Sequence, residues 1–214
     1  MKAMTFDEIV NGGEQYKTSK LIKSLTSQAG VLNHFYLTGY EGLCLMMSHA
    51  ELTHAIISSV VPMGGELLVV GSKEVCSEWR HACHELSIRV TVVDTAESDL
   101  VKAVETILSV NRTITNVMTT SDLDCHTLCE LGRVAHENRC SFVVDNSTDE
   151  LSVEDTQKAG VDFTIAATAE ISVIIARRSK LVMTEGNARR SEHDIYALWQ
   201  STLTLRNSTW VPMA

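Results

Sequence analysis

The 214-residue sequence has only two prolines, Pro62 and Pro212, and no Gly/Ser-rich or low-complexity tract. Such stretches usually punctuate domains, so their scarcity marks no interior boundary, and the length fits a single domain. No internal repeat is present. No apolar run reaches the ~18–20 residues that a membrane span needs. The opening stretch, Met1–Gly13, carries Asp7 and Glu8 and lacks the apolar centre of a signal peptide. Six cysteines are too few for a disulfide scaffold. Without a secretory signal, the Asn-x-Ser/Thr triplets at Asn111, Asn146 and Asn207 carry no glycosylation reading. Basic residues are outnumbered 27 to 18, giving a net charge of −9 with no basic stripe. That balance argues against nucleic acid as a partner. The expected setting is the cytoplasm, away from membranes. The glycine-rich dinucleotide loop, Walker A loop, HExxH helix and GxSxG elbow are all missing, which excludes the enzyme classes they define.

What is present is alternation. Compact apolar runs at Glu66–Val70, Ile88–Val93, Thr115–Met118, Ser141–Asp145, Val161–Ala167 and Ser172–Ala176 read as strands, with Leu43–Met47 upstream. Between them, Glu51–Val61, Lys73–Leu86, Ser98–Val110, Asp122–Asn138 and Ser152–Gly160 have helical periodicity, the last with a Ser152–Asp155 capping pattern. Thr5–Thr26 and Ser191–Leu203 also read as helices. Near-continuous Val/Ile content in the strands predicts burial on both faces, as parallel sheets require. The expected fold is a three-layer α/β/α domain with a mostly parallel sheet, spanning 1–214. Residues 1–30 form an N-terminal helical segment in this reading, and 190–214 a C-terminal helix and tail.

Ligands of open α/β sheets bind beyond the carboxyl ends of the strands. The candidate positions are therefore Ser48 and His49, Gly71 and Ser72, Thr119–Ser121, Asp145–Ser147 and Thr168–Glu170. Asp145 ends an apolar strand, where a carboxylate can hold a protonated ring nitrogen such as that of pyridoxal phosphate; a turn-capping role is the simpler account from spacing alone. His81, Cys83, His84 and Cys76 are read as buried thiols flanked by surface histidines, not as a metal site. Cys125 and Cys129, four apart around His126, are read as buried small hydrophobes. Arg177 and Arg178 are read as surface ion pairs, and Trp79, Trp199 and Trp210 as packing residues.

Several segments resemble one family. Gly160–Ala167 followed by Ser172–Ser179 is similar to the large domain of class V aminotransferases, which are pyridoxal-phosphate-dependent enzymes of fold type I. The run EGNARRSEHDIYALWQ and the Trp210–Pro212 ending resemble the 2-aminoethylphosphonate–pyruvate transaminase group. AIISSVVPMGGELLVV at Ala55–Val70 resembles that group's phosphate-site helix and next strand, and FVVD at Phe142–Asp145 the strand bearing its pyridine-nitrogen aspartate. The resemblance runs from about Asp7 through nearly the whole chain.

The resemblance also implies losses. Glu170 stands where the family has its Schiff-base lysine, so no catalytic residue is expected there. The phosphate-binding Gly-Ser-Gly-Thr turn becomes Met47-Ser48-His49-Ala50, with Glu51 adding negative charge. Ser48, His49 and Asp145 are what remains of a cofactor pocket, and no cofactor is expected. The family's small C-terminal domain would follow Trp210–Ala214. These departures imply a degenerate, non-transaminating protein with a binding, assembly or regulatory role. As family members are homodimers, the implied partner is a second copy or a catalytic paralogue. The alternatives are an active pyridoxal-phosphate-dependent aminotransferase using a non-aligned lysine, or another enzyme using Glu170 as acid/base beside His49 or Asp145.

Overall fold

The computed structural model describes residues 39–45, 47–97, 99–148, 151–167, 172–185, 187 and 194–200. Within them the order is β1 (Tyr40–Leu45), α1 (His49–Val60), β2 (Glu66–Gly71), α2 (Lys73–Glu85), β3 (Arg89–Asp94), α3 (Leu100–Val110) and β4 (Ile114–Thr120). There follow α4 (Cys125–Glu137), β5 (Ser141–Asp145), α5 (Val153–Lys158), β6 (Phe163–Ala167), β7 (Ser172–Arg177) and α6 (Arg178–Val182). Residues 195–200 are also helical.

The strands form one sheet in the order β1-β7-β6-β5-β4-β2-β3. From β3 to β6 all neighbours are parallel, each joined to the next in sequence through a helix. β7 runs antiparallel to β6, and β1 antiparallel to β7. Chain length explains the reversal: the connection from β6 to β7 is far shorter than the dozen or more residues that a parallel crossover takes.

Central strands are apolar on both faces because both faces are covered. In β2, all six residues are buried. Leu67 and Val69 join a core with α1, α2, Ile195 and Trp199, whereas Leu68 and Val70 join one with α3 and α4. Edge strand β3 is exposed or part-exposed instead, except at Val93, which is buried. Trp79 and Trp199 are buried in the first core, as expected. Gly132 lets α4 approach the loop before β6: a Cβ there would lie 2.1 Å from the Ala159 carbonyl oxygen.

The α/β/α architecture matches the expectation, and the differences are local. β1 starts at Tyr40 rather than Leu43, since pairing with Arg177 and a Tyr40 Oη donation to the Val161 carbonyl (2.9 Å) extend it. Helix α1 begins at His49 because Ser48, not a later residue, is its N-cap. The helix expected through Gly160 ends at Lys158, and Gly160 takes a left-handed φ of 69°, the conformation that commonly closes helices. Helix α6 was not expected. The segment expected as helix at Thr5–Thr26 lies outside the described residues, as do 191–193 and 201–203 of the one expected at Ser191–Leu203, whose residues 195–200 are helical.

Candidate functional site

Ser48, His49 and Asp145 come together at the carboxyl end of the sheet. Asp145 is the last residue of β5 and is 5% exposed. Its Oδ1 accepts from the Ser147 amide (3.0 Å) and from Ser147 Oγ (2.6 Å) in a tight turn that leaves the other oxygen to a different partner. Ser147 Oγ in turn accepts from the Ala167 amide at the end of β6 (3.2 Å). Asn146 clamps the loop by exchanging side-chain hydrogen bonds with the Leu151 backbone (2.9 and 3.0 Å). From across the sheet, Ser172 Oγ donates to the Met47 carbonyl (2.8 Å), fixing the turn between β1 and α1.

That turn points His49 at Asp145. His49 Nε2 lies 2.7 Å from Asp145 Oδ2, and Nδ1 lies 3.7 Å from Glu78 Oε2 on α2. Both ring nitrogens therefore face carboxylates, one buried and one 70% exposed. The Asp145 hydrogen bond raises the His49 pKa above its ordinary value; burial opposes it, and the charges of Asp145 and Glu78 add to the rise. Protonated, His49 donates to Asp145 and lies within ion-pair distance of Glu78 without a hydrogen bond to it.

Ser48 is similarly engaged. Its amide and Oγ both reach Glu51 Oε2 (2.7 and 2.8 Å), and its Oγ accepts from the Glu51 amide (3.3 Å). This reciprocal capping box seats a carboxylate at the start of α1, where the helix dipole favours an anion. Thus an internal acid lies at the helix terminus and an internal cation lies on Asp145.

A pH prediction follows. Because the folded pKa of His49 is raised, the stability from this pairing is fully present below the unfolded value of about 6.5 and is lost as pH rises through the folded pKa. An NMR titration of the His49 ring is expected to show a midpoint above 6.5 that falls in Asp145→Asn. A midpoint that Asp145→Asn leaves unchanged would remove the pairing.

Other sequence-singled residues lie apart from this site. Glu170 and its neighbours Thr168 and Ala169 lie outside the described residues. Ser72 is the N-cap of α2. Cys76 and Cys83 are buried and His81 and His84 exposed, with His81 3.4 Å from Glu85. Cys125 differs from expectation in being exposed, at the first turn of α4, whereas Cys129 is partly buried and packs against the core that Leu128 and Leu131 fill. Arg177 and Arg178 are ion-paired, but with the buried acids Asp162 (3.4 Å) and Glu41 (3.7 Å), not in the surface pairs expected.

The sequence reading missed the group around Asp162, at the opposite end of the sheet. Asp162 is fully buried. Its Oδ2 accepts from the Phe142 amide (3.0 Å) and lies 2.9 Å from His136 Nε2 and 3.5 Å from Lys180 Nζ. Burial pushes this carboxyl up, but the His136 and Phe142 hydrogen bonds and the Lys180 charge outweigh it and hold the pKa below the ordinary value. Lys180 also donates to Ser141 Oγ (3.1 Å), the first residue of β5. That strand places Lys180 about 13 Å along from Asp145, at 3.3 Å per residue. The available signal was an acid set between Val161 and Phe163 in an otherwise apolar run.

No family model matches the sequence. Among curated relatives, the bifunctional phosphonoacetaldehyde hydrolase/aminoethylphosphonate transaminase of Clostridioides difficile (strain 630) is 26% identical over 189 residues, covering 80% of this chain and 29% of that protein. The 2-aminoethylphosphonate–pyruvate transaminase 2 of Burkholderia lata is 26% identical over 177 residues, covering 75% and 46%. The chain therefore spans less than half the length of these relatives. In solved structures, the fold is similar to pyridoxamine-pyruvate aminotransferase from Mesorhizobium loti (TM-score 0.62, 10% identity, 93% of this chain and 56% of that one). It is also similar to ureidoglycine-glyoxylate aminotransferase from Bacillus subtilis (TM-score 0.60, 10% identity, 98% and 62%). The structural likeness carries the fold, that of pyridoxal-phosphate-dependent aminotransferases, and in sequence the chain is similar to 2-aminoethylphosphonate transaminases.

Proposed function

We propose that this chain is a degenerate aminotransferase-like protein that does not transaminate and works by binding, assembly or regulation. The observation that carries the reading is the 2.7 Å contact between His49 Nε2 and Asp145 Oδ2. In a pyridoxal-phosphate enzyme of this fold the corresponding carboxylate holds the pyridine nitrogen; here an imidazole nitrogen takes that acceptor. At the start of α1, Glu51 takes the Ser48 donors that a phosphate would use, and its charge opposes a dianion. The residues present do not fit the cofactor, and Glu170 at the lysine position supports the same reading. No reaction step is assigned to them.

The setting proposed is cytoplasmic, with a second copy of the chain or a catalytic paralogue as partner. No nucleic-acid or membrane partner is proposed: the net charge is −9, and among the described residues no helix is long and apolar enough to cross a membrane. The test is amino transfer itself. Incubated with 2-aminoethylphosphonate, pyruvate and pyridoxal phosphate, the purified protein is expected to form no alanine above a protein-free control. Alanine formed with repeated turnover would contradict the proposal.

A further inference from the structure

We propose that Cys125 and Cys129 form a dithiol site on α4 for one soft, thiophilic metal ion of the two-coordinate Cu(I) class. Cysteine is normally among the most buried residues, and Cys76, Cys83 and Cys140 follow that habit. Cys76 and Cys140 donate to the Gly71 and Ile114 carbonyls (3.4 and 3.3 Å), and burial pushes Cys83 and Cys140 up to about 12 and about 11. These thiols are committed to the interior. Cys125 is exposed, and Cys129, one turn on, is partly buried at the edge of the core.

One helical turn sets their geometry. Residues four apart on a helix have Cβ atoms about 5–6 Å apart. An ion held at about 2.3 Å from each of two sulfurs needs them within about 4.6 Å, which side-chain rotation supplies. Both side chains leave the same face of α4, one turn apart. The helix beneath is anchored: Asp124 caps it through the Thr127 amide (3.0 Å), and Leu128 and Leu131 are fully buried. Little ordering therefore remains to be done on binding.

The ligand count selects the ion. Zinc sites take four ligands, or three and a water, yet among the described residues no group of three His, Cys, Asp or Glu side chains is placed to hold a metal. Two thiolates alone suit a soft ion. Burial first, and then the negative charges of Cys125, Glu130 and Asp155, push the Cys129 thiol up; a bound cation offsets those charges. The step balances as two thiols plus one monovalent ion giving a bis-thiolate complex and two protons, with no change of oxidation state.

The test is an anaerobic titration of the reduced protein with Cu(I) against a chromogenic bicinchoninate competitor. Wild type is expected to withdraw one equivalent. Cys125→Ser and Cys129→Ser should each lose it, by at least the roughly 100-fold that even outer-sphere changes can cost a metal site. A second readout is independent of copper. Phenylarsine oxide should condense with both thiols, releasing one water, and peptide mapping should place the adduct across Cys125 and Cys129. Copper retention equal in wild type and both variants, or an arsenical adduct on any other cysteine pair, would overturn the proposal. So would Zn(II) displacing the copper stoichiometrically.

Discussion

Asp162→Ala is expected to cost about 3–5 kcal/mol of folding stability, the range for removing one partner from a buried ion pair. His136, Arg177 and Lys180 share Asp162 as their acid among the described residues, and it is fully buried while they are 33%, 37% and 22% exposed. Alanine would leave the Phe142 amide without its acceptor and three basic groups repelling one another. It would also unlink α4, β5 and β7, which meet on this carboxylate. Asp162→Asn keeps an acceptor for Phe142 but loses the charge, so its loss should be smaller. The pH dependence has a definite sign. A carboxyl with a depressed folded pKa contributes stability above its unfolded value of about 3.9, and that contribution is lost as pH falls through the folded pKa. Urea denaturation of the three proteins at neutral and acid pH checks this. A loss under about 1 kcal/mol for Asp162→Ala would show the network to be dispensable.

The second large effect is a gain. The double variant His49→Gly/Glu51→Ala is expected to bind pyridoxal phosphate non-covalently about 100-fold more tightly than wild type, or about 2.7 kcal/mol. Removing His49 frees Asp145 Oδ2, since Ser147 engages only Oδ1. Removing Glu51 takes a negative charge from the helix start; a unit charge 4 Å from another contributes about 4 kcal/mol at an effective dielectric constant of 20, and the exposure of this site reduces that. Ser48 keeps its capping bond to the residue-51 amide, so α1 should lose no more than about 1 kcal/mol. Equilibrium dialysis reads the affinity without any catalysis. Equal binding by both proteins would mean that His49 and Glu51 do not obstruct the site.

How much of this was legible depended on the range of the interaction. The strand–helix alternation follows from local periodicity, and β2 and β5 lie within a residue of their expected bounds. Asp145 could be singled out because a polar residue ending a Val-Val run signals a sheet rim. Its contact with His49 could not, because 96 residues separate them and only the strand order brings them together. Glu51 was recognised as an unwelcome charge, but its capping bonds to Ser48 depend on the backbone turn after β1. Cys125 was misjudged because its spacing from Cys129 fits both a buried and an exposed stripe. Which one holds is set by the neighbours of α4, not by α4 itself. Asp162 was passed over inside an apolar run, since its three basic partners come from α4, β7 and α6.

The most direct measurement is an absorbance scan of the purified protein with pyridoxal phosphate, before and after borohydride, followed by peptide mapping. With His49 on Asp145 and Glu51 on Ser48, the spectrum should equal that of free cofactor, and no lysine should be modified stoichiometrically. A band in the imine region, fixed by reduction onto one lysine, would contradict the degenerate reading and identify the nucleophile that replaces the one missing at Glu170.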